Sequence, residues 1–446
     1  MIFTMKEAED IVYKSYLRAI TNISETHDSK VKRPDLTRKL LDLLGSPDKG
    51  KKFILVTGSK GKGSTSRFIS SLLGHLGLKV GLFTSPHLVN FNERIRINGK
   101  SISDEDFIRI SNKVVKPLDT IESELEPHVY QGPVGVALAI ATLYFKENNT
   151  DINVIECGRG GRYDDTNILE NDWAVITPIM EEHILNLGPT IDDIIIHKLG
   201  IIKPSTKYVC ISEQYEDLQK FKKSINENTL ENCSYYGEDF FSYNISLSQE
   251  GTRFDVKTKN NIFDNIKIPL LGSFQAVNVA TAIKVCEDVV NDISYNTVKN
   301  CFGSIQWPGR CEIIDSNPTV IVDGAINEKS AEYVQQVLEN IKGENIVSIV
   351  GVPVDKDYKG VLRVVSQFSK KVIITKPDIS HLVFPTNAKE YALSFNSNIA
   401  ETSLLHEAVE LAKNEKNIDL ILIIGTQTLI ANAKRMWNQS LLDIGL

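Results

Sequence analysis

The chain has 446 residues, a length that suits two or three domains with more than one apolar core. Hydrophobic residues make up 42% and charged ones 24%, and a net charge of −7 without a long basic run argues against a nucleic-acid surface. Six scattered cysteines without CxxC, acids where a signal peptide would need an apolar core, and no apolar run near the roughly 18 residues of a membrane span point to a reduced, cytoplasmic protein with no membrane partner.

Ala8, Ile11, Val12, Tyr16 and Ile20 fall at helical spacing, so residues 6–20 are expected to form a leading amphipathic helix. Residues 21–33 are polar and loop-like, and residues 36–44 read as a short helix stopped by Gly45 with Pro47 beyond. The strand-like run 53–56 then meets Thr57-Gly-Ser-Lys-Gly-Lys-Gly-Ser-Thr65, after which Phe68, Ile69, Leu72, Leu73 and Leu76 carry a helical period. Strand, Gly-rich turn, Lys, then Ser/Thr opening a helix is the layout of a phosphate-binding loop. Gly58, Gly61 and Gly63 allow positive φ and close approach of backbone N–H groups to phosphate, with Ser59, Lys60 and Thr65 completing the cradle. Lys62 can neutralise the β/γ phosphates, and the Ser64 hydroxyl can ligate Mg²⁺. Gly63 separates Lys62 from Ser64, a departure from the GxxxxGK[ST] spacing.

Residues 79–84 form the next strand and complete a βαβ unit, so the sheet is parallel with its ligand at the C-terminal strand ends. Ser85 emerges at the same edge as Lys62, as a metal or phosphate ligand or as a plain turn hydroxyl. Residues 92–100 resemble a β-excursion turning at Asn98-Gly99. A helix from 104 to about Pro117 and an apolar helix over 134–145 follow. The strand 152–157 carries Glu156 at its C-terminal end, and an acid there, beside a phosphate loop, suits a Mg²⁺ ligand. A strand over 173–177 precedes Glu181-Glu-His183, and a helix containing Lys198 leads to Gly200; alone, His183 and Lys198 read as surface or capping residues. A strand at 208–212, a helix over 215–225, antiparallel ribbons over 234–265 and a helix from 270–278 to about Val290 come next. Residues 300–310 are the linker candidate, which divides the chain into domains 1–305 and 306–446. In the second domain, strands at 319–322, 346–350, 372–375 and 418–424 alternate with helices at 330–341, 403–413 and 429–437, with no GxGxxG. The expected fold is α/β: a P-loop-containing parallel-sheet ATPase domain followed by a smaller Rossmann-like α/β domain.

Taken together, the motifs resemble the folylpolyglutamate synthase/dihydrofolate synthase branch of the Mur ligases, over roughly residues 33–435. Gly58-Ser-Lys-Gly-Lys-Gly-Ser64 resembles the family's GTNGKGS loop. Phe83-Thr-Ser-Pro-His-Leu88 with Phe91-Asn-Glu-Arg-Ile-Arg-Ile-Asn-Gly99 resembles its second signature, and Glu156-Cys-Gly-Arg-Gly-Gly-Arg-Tyr-Asp-Asp-Thr-Asn167 its EVGLGGRLDATN. His183 falls at the His of the LDH motif, and His197-Lys-Leu-Gly-Ile-Ile-Lys-Pro204 is similar to EKAGIIKP. Leu271-Gly-Ser-Phe-Gln-Ala-Val-Asn278, Pro308-Gly-Arg310, Asp323-Gly-Ala-Ile-Asn327 and Asp355-Lys-Asp357 complete the order.

The resemblance implies an ATP- and Mg²⁺-dependent amide ligase, a monomer that activates a carboxylate, by default a folate or dihydropteroate, and joins it to an amino acid, by default glutamate. It implies that Lys62 holds ATP phosphates, with Ser64, Ser85 and Glu156 around a first Mg²⁺. Glu156 and His183, with Lys198 carbamylated, would serve a second. Asn278, Arg310 and Asp323 would complete the nucleotide site, with Lys62, His183, Lys198 and Arg310 catalytic. Five departures stand out: Ser59-Lys60 for Thr-Asn, Glu181-Glu182 for Leu-Asp, Phe274 and Ile326 each for a His, and Thr426 for a Ser. Isoleucine neither donates a hydrogen bond nor carries charge, so the amine side of the cleft is altered. The alternatives are the same chemistry on a non-folate acid or a different amine, and a non-catalytic nucleotide-binding homologue.

Overall fold

The apolar run after Lys52 becomes β1 (Lys52–Thr57), the centre of the first sheet in a computed structural model that describes residues 2–88, 90–225, 232–248, 250–341, 345–378, 382–439 and 441–446. Its partners are β2 (Val80–Phe83), β3 (Ile95–Ile97), β4 (Lys100–Ser101), β5 (Ile152–Glu156), β6 (Trp173–Ile176), β7 (Tyr208–Ile211) and β8 (Cys233–Tyr235), in the order β4-β3-β2-β5-β1-β6-β7-β8. All pairings are parallel except those of β3 with β2 and β4. Every residue of β1 from Phe53 on is buried, as expected when helices cover both faces of a parallel sheet.

Alternation along β1 sorts its side chains into two cores. Phe53 and Leu55 join a core with α1 (Met5–Ala19), α2 (Pro34–Leu43), α4 (Asp104–Glu122) and α5 (Pro133–Glu147). Ile54 and Val56 join the opposite core, with α3 (Lys62–His75), α7 (Ser273–Val290) and α8 (Tyr295–Gly303). Helix α6 (Ile191–Leu199) packs at the far end of the first core. Strands β9 (Phe241–Ser248), β10 (Gly251–Lys257) and β11 (Ile262–Ile268) form a separate antiparallel sheet against α7 and α8.

The second unit has the order β12-β13-β17-β14-β15-β16, from β12 (Glu312–Ser316), β13 (Thr319–Asp323), β14 (Ile346–Gly351), β15 (Lys371–Ile374), β16 (Ile399–Glu401) and β17 (Leu420–Gly425). It is parallel except at β12. Helices α9 (Glu328–Glu339), α10 (Tyr358–Phe368), α11 (Leu405–Lys413) and α12 (Gln427–Met436) flank it.

Several expectations are corrected. Pro117 does not end α4, which runs on to Glu122 because Leu118 and Ile121 continue its buried face, against the cost of about 3 kcal/mol that an interior proline carries through its lost bond and ring clash. The 21–33 stretch contains a helical turn, Asp28–Val31. The start of the expected 234–265 ribbon is instead β8, a parallel edge strand of the main sheet. Strands β12 and β16, helices α8 and α10 and a short helix at Ala388–Leu393 were not anticipated, and α8 takes up residues 300–303 of the expected 300–310 linker. All six cysteines are free and five are buried, which pushes the thiols of Cys157 and Cys301 up to about 12. Among the described residues no helix is long and apolar enough to cross a membrane.

Candidate active site

Chain connections leave β1 toward β2 on one side and reach β6 on the other, which opens a crevice at the C-terminal strand ends. The register Val56↔Glu156 and Thr57↔Ile176 sets the ends of β5 and β6 on either side of the loop leaving β1. Gly58 turns at φ 145° directly against β6: a methyl there would fall 2.0 Å from Thr177 Oγ1 and 2.7 Å from its carbonyl oxygen. Gly58→Ala is therefore expected to cost about 1–3 kcal/mol by overpacking, read as a lower denaturation midpoint, together with weaker nucleotide binding in a calorimeter.

The Ser59 and Lys60 amides both donate to the Pro178 carbonyl, at 2.8 and 3.2 Å, and the Ser59 hydroxyl is engaged with Met180. These two residues therefore brace the loop against the end of β6 and offer no amide to a phosphate. The donors left for an anion are those of the first turn of α3, whose N-cap, Gly61, sits at φ 81°. Asn278 on α7 accepts from the Thr65 hydroxyl at 3.2 Å, and a methyl on Gly61 would lie 2.7 Å from its Oδ1, so α7 closes the back of the loop.

Glu156 ends β5 at the mouth of this turn. A methyl on Gly63 would stand 3.4 and 3.6 Å from its carboxylate oxygens and 3.2 Å from the Trp307 ring. The extra glycine of the loop thus lets a carboxylate and an indole approach the start of α3. The Ser85 amide donates to Glu156 Oε2 at 3.0 Å. Burial raises the Glu156 carboxyl to about 7, opposed by Lys62, the Ser85 amide, Arg310 and Arg94.

Lys62 Nζ donates to the Gly58 carbonyl at 2.9 Å. Lys198, at 0% exposure, donates to the same oxygen at 2.7 Å, to the Arg159 carbonyl at 2.9 Å and to Glu182 Oε1 at 3.2 Å. Burial, then the like charge of Lys62, lowers the Lys198 amine to about 8. His183 lies nearby in the left-handed region at φ 50°, its ring lowered by burial and by Arg159, Lys198 and Lys62 against the pull of Glu182.

From the second unit, Arg310 follows the linker and donates to the Gly309 carbonyl at 3.0 Å. Asp323 ends β13 and accepts from the Cys311 amide at 2.8 Å; burial raises its carboxyl while Arg310 opposes the rise. The structure therefore brings Lys62, Lys198, His183, Glu156, Ser85 and Arg310 to one region, with Asp323 beside Arg310. Ile326 and Phe274 instead pack on the apolar core of the second unit, and the Phe274 ring lies 5.0 Å from that of Tyr333.

Oxygen donors from Glu156, Ser64 and Ser85 beside a phosphate loop suit a hard cation such as Mg²⁺. As an ammonium, Lys198 cannot ligate. Among the described residues no group of three His, Cys, Asp or Glu is arranged to hold a metal, so any metal here draws on hydroxyl and ligand oxygens.

Sequence reasoning gave no role to Arg94, Thr177 and Trp307, and noted Glu182 only as a departure from the family pattern. Arg94 was visible only as a letter of a signature; its Nε donates to His87 Nδ1 at 2.8 Å, and it lies over the Phe91 ring at 4.6 Å, close enough to act on Glu156.

Residues 56–286 match the family model for the Mur ligase middle domain, and residues 309–427 that for the Mur ligase glutamate ligase domain. A dihydrofolate synthase/folylpolyglutamate synthase of Bacillus subtilis (strain 168) is 33% identical over 342 residues, 74% of this chain and 78% of that protein. Among solved structures, folylpolyglutamate synthase from Thermotoga maritima matches with TM-score 0.82 at 26% identity, covering 91% of this chain and 93% of its own. The Mycobacterium tuberculosis folylpolyglutamate synthase complexed with ADP and AMPPCP matches with TM-score 0.81 at 25% identity, covering 92% and 97%.

Proposed function

Because the chain belongs to the dihydrofolate synthase/folylpolyglutamate synthase family of Mur ligases, which are ATP-dependent ligases, we propose that it uses ATP to join the carboxylate of a folate or dihydropteroate to the amine of glutamate. The observation that carries this reading is the set of cations around Glu156 at the start of α3: Lys62 from the loop and Arg310 from the second unit both act on that carboxylate. Such a set suits a reaction whose cost is the charge of a transferring phosphoryl group.

An oxygen of the acceptor carboxylate attacks the γ-phosphorus of ATP, the bond to the ADP oxygen breaks, and an acyl phosphate forms. The amine nitrogen then attacks the acyl carbon, the bond to phosphate breaks, and the amine gives up a proton as the amide forms. Lys62 and the first-turn amides of α3 hold the phosphates, Arg310 reaches them across the cleft, and Asn278 and Asp323 frame the nucleotide. Glu156, Ser64 and Ser85 would hold a first Mg²⁺, and Glu156, His183 and carbamylated Lys198 a second; bound there, the metal neutralises phosphate charge. In carbamylation the neutral Lys198 amine bonds to the carbon of CO₂ and releases a proton, so that a buried cation is replaced by an anion. We place the division between the units at 305/306 and read the protein as a cytoplasmic monomer, a setting that its free cysteines suit.

A second reading keeps the chemistry and changes the substrate. It is favoured by Phe274 and Ile326, which pack as apolar side chains and offer an incoming amine neither hydrogen bond nor charge. One assay separates the readings: protein, ATP and Mg²⁺ with dihydropteroate, folates and a panel of amino acids, followed by phosphate release and product mass. The expected result is folate- and glutamate-dependent phosphate release with a product heavier by one glutamyl residue. Turnover only with another acid or amine supports the second reading, and bound ATP without acceptor-dependent hydrolysis overturns both.

A further inference from the structure

The chain crosses between the two units twice, and both crossings end at one guanidinium. Going out, α8 stops at Gly303 and residues 304–311 lead to β12; coming back, α12 ends at Met436 and residues 441–446 return to the first sheet. Arg67 lies in α3, three residues after Ser64, at 0% exposure. Its Nε donates to the Gln306 carbonyl at 3.2 Å, and its Nη2 donates to the carbonyls of Ile444 at 3.0 Å and Gly445 at 2.9 Å. Arg96, also buried, holds the start of the same tail, donating to the carbonyls of Leu441 at 2.7 Å and Leu442 at 3.1 Å. The Ser101 amide adds a bond to the Leu442 carbonyl at 2.7 Å. The seat is tight: a methyl on Gly99 would fall 1.7 Å from the Gly445 carbonyl oxygen, and one on Gly74 2.7 Å from Leu446.

Burying a guanidinium is costly unless its donors are used; Nε and Nη2 of Arg67 are used while the buried Nη1 has no partner among the described residues, and the planar fork can serve carbonyls in different directions where an ammonium serves a point. Here the fork serves backbone of both crossings. Gln306 precedes Trp307, whose ring abuts Gly63, and three residues further on is Arg310. Thus the same helix that begins at the phosphate loop also grips the segment that delivers Arg310.

We propose that Arg67 is a positioning residue for the ligase reaction: it clamps both inter-unit crossings to α3, so that Arg310 and Asp323 meet the phosphate loop in one register. This rests on the function proposed above. A misplacement of about 1 Å at the reacting groups can cost roughly 10²-fold in rate, which sets the size of the effect.

The test uses full-length Arg67→Met, Arg67→Lys and Gly445→Pro. Gly445→Pro removes the Gly445 amide bond to Asp443 and cannot hold the φ of 70° found there, so it displaces the carbonyl that Arg67 holds while leaving Arg67 in place, and carries the test if Arg67→Met does not fold. Three quantities are read: acceptor-dependent turnover, AMPPCP affinity by calorimetry, and the spread of the two units by small-angle scattering. Expected are a kcat lower by about 10–100-fold, a smaller loss of AMPPCP affinity because Lys62 and the first-turn amides of α3 stay in place while Arg310 and Asp323 are displaced, a wider spread of the units, and partial recovery in Arg67→Lys. Wild-type kcat in folded variants overturns the proposal, as does parallel loss of AMPPCP affinity and turnover, which would mark a purely structural residue. If the wild-type chain shows no ligase turnover on any acceptor, the functional reading has failed, and the scattering decides alone: an unchanged spread overturns the clamp.

Discussion

Lys62→Ala is expected to lower acceptor-dependent phosphate release by about 10³-fold, the size seen when a preorganised charge or donor for a transition state is removed. Lys62 stands at the first position of α3, bonded to the Gly58 carbonyl and within reach of Glu156. Its ammonium is half-buried and, among the described residues, makes no buried ion pair, so the fold should persist with a denaturation midpoint close to wild type. The loss should fall mainly on kcat, because the charge matters most while the phosphoryl group moves. A second signature follows from the two lysines sharing one carbonyl. Lys62 is one of the causes that lower the Lys198 amine, so its removal should raise the proton affinity of Lys198 and shift any carbon dioxide dependence to higher pH. Near-normal turnover in a folded Lys62→Ala protein would refute the loop's role.

Lys198→Met is expected to cost about 10²–10³-fold in turnover, with a readout independent of activity. If Lys198 is carbamylated, ¹³C-bicarbonate should give a carbamate resonance in the wild-type protein that the variant lacks. At pH 7 an amine of pKa about 8 is neutral in roughly one molecule in ten, and at pH 9 in roughly nine. The carbamate signal should therefore grow between those values after decarbonation and return of bicarbonate. The same shift has a sign for stability. The folded amine lies below its unfolded value, so the unfolded chain holds more protons between about pH 8 and 10. The penalty is fully present below 8 and is relieved as pH rises toward 10; it amounts to roughly 3 kcal/mol. Methionine removes that penalty but strands the Arg159 carbonyl, about 1–3 kcal/mol, while the Gly58 carbonyl keeps its bond from Lys62. The two effects oppose each other, so the midpoint should move far less than turnover does. A Lys198→Met protein that retains both the carbamate resonance and its activity would exclude the assignment.

What could be read from sequence was the chemistry written in consecutive residues. The phosphate loop was legible because β1, the glycines and the opening of α3 lie within one short stretch, and Glu156 because a strand's C-terminal end fixes where its last side chain emerges. Ser59 and Lys60 were read too generously: nothing local shows that their amides are taken by Pro178, more than a hundred residues away. Arg67 carried no sequence signal, and only the returning tail shows what its donors serve. Helix α10 was hidden because Gly360 and the β-branched residues Val361, Val364 and Val365 dilute its helical signal, although burial of Leu362 and its valine neighbours against the sheet secures it. Edge strand β16 is too short to show a period, and β12 (Glu312-Ile-Ile-Asp-Ser316) carries only two apolar residues between polar ones; hydrogen bonding to neighbours defines both.

The buried thiols have a use that the chemistry of the site does not suggest. Five of the six lie out of solvent, and burial holds those of Cys157 and Cys301 far toward the protonated form at neutral pH. Alkylation requires the thiolate and access to it, so each sulfur is silent until its own neighbourhood opens. Cys157 follows Glu156 at the end of β5, while Cys301 sits on α8 within 3.2 Å of Ser71 on α3. Their separate labelling rates, with and without nucleotide, would time the breathing of the strand end and of the helix pair as two independent clocks, with no foreign probe in the protein.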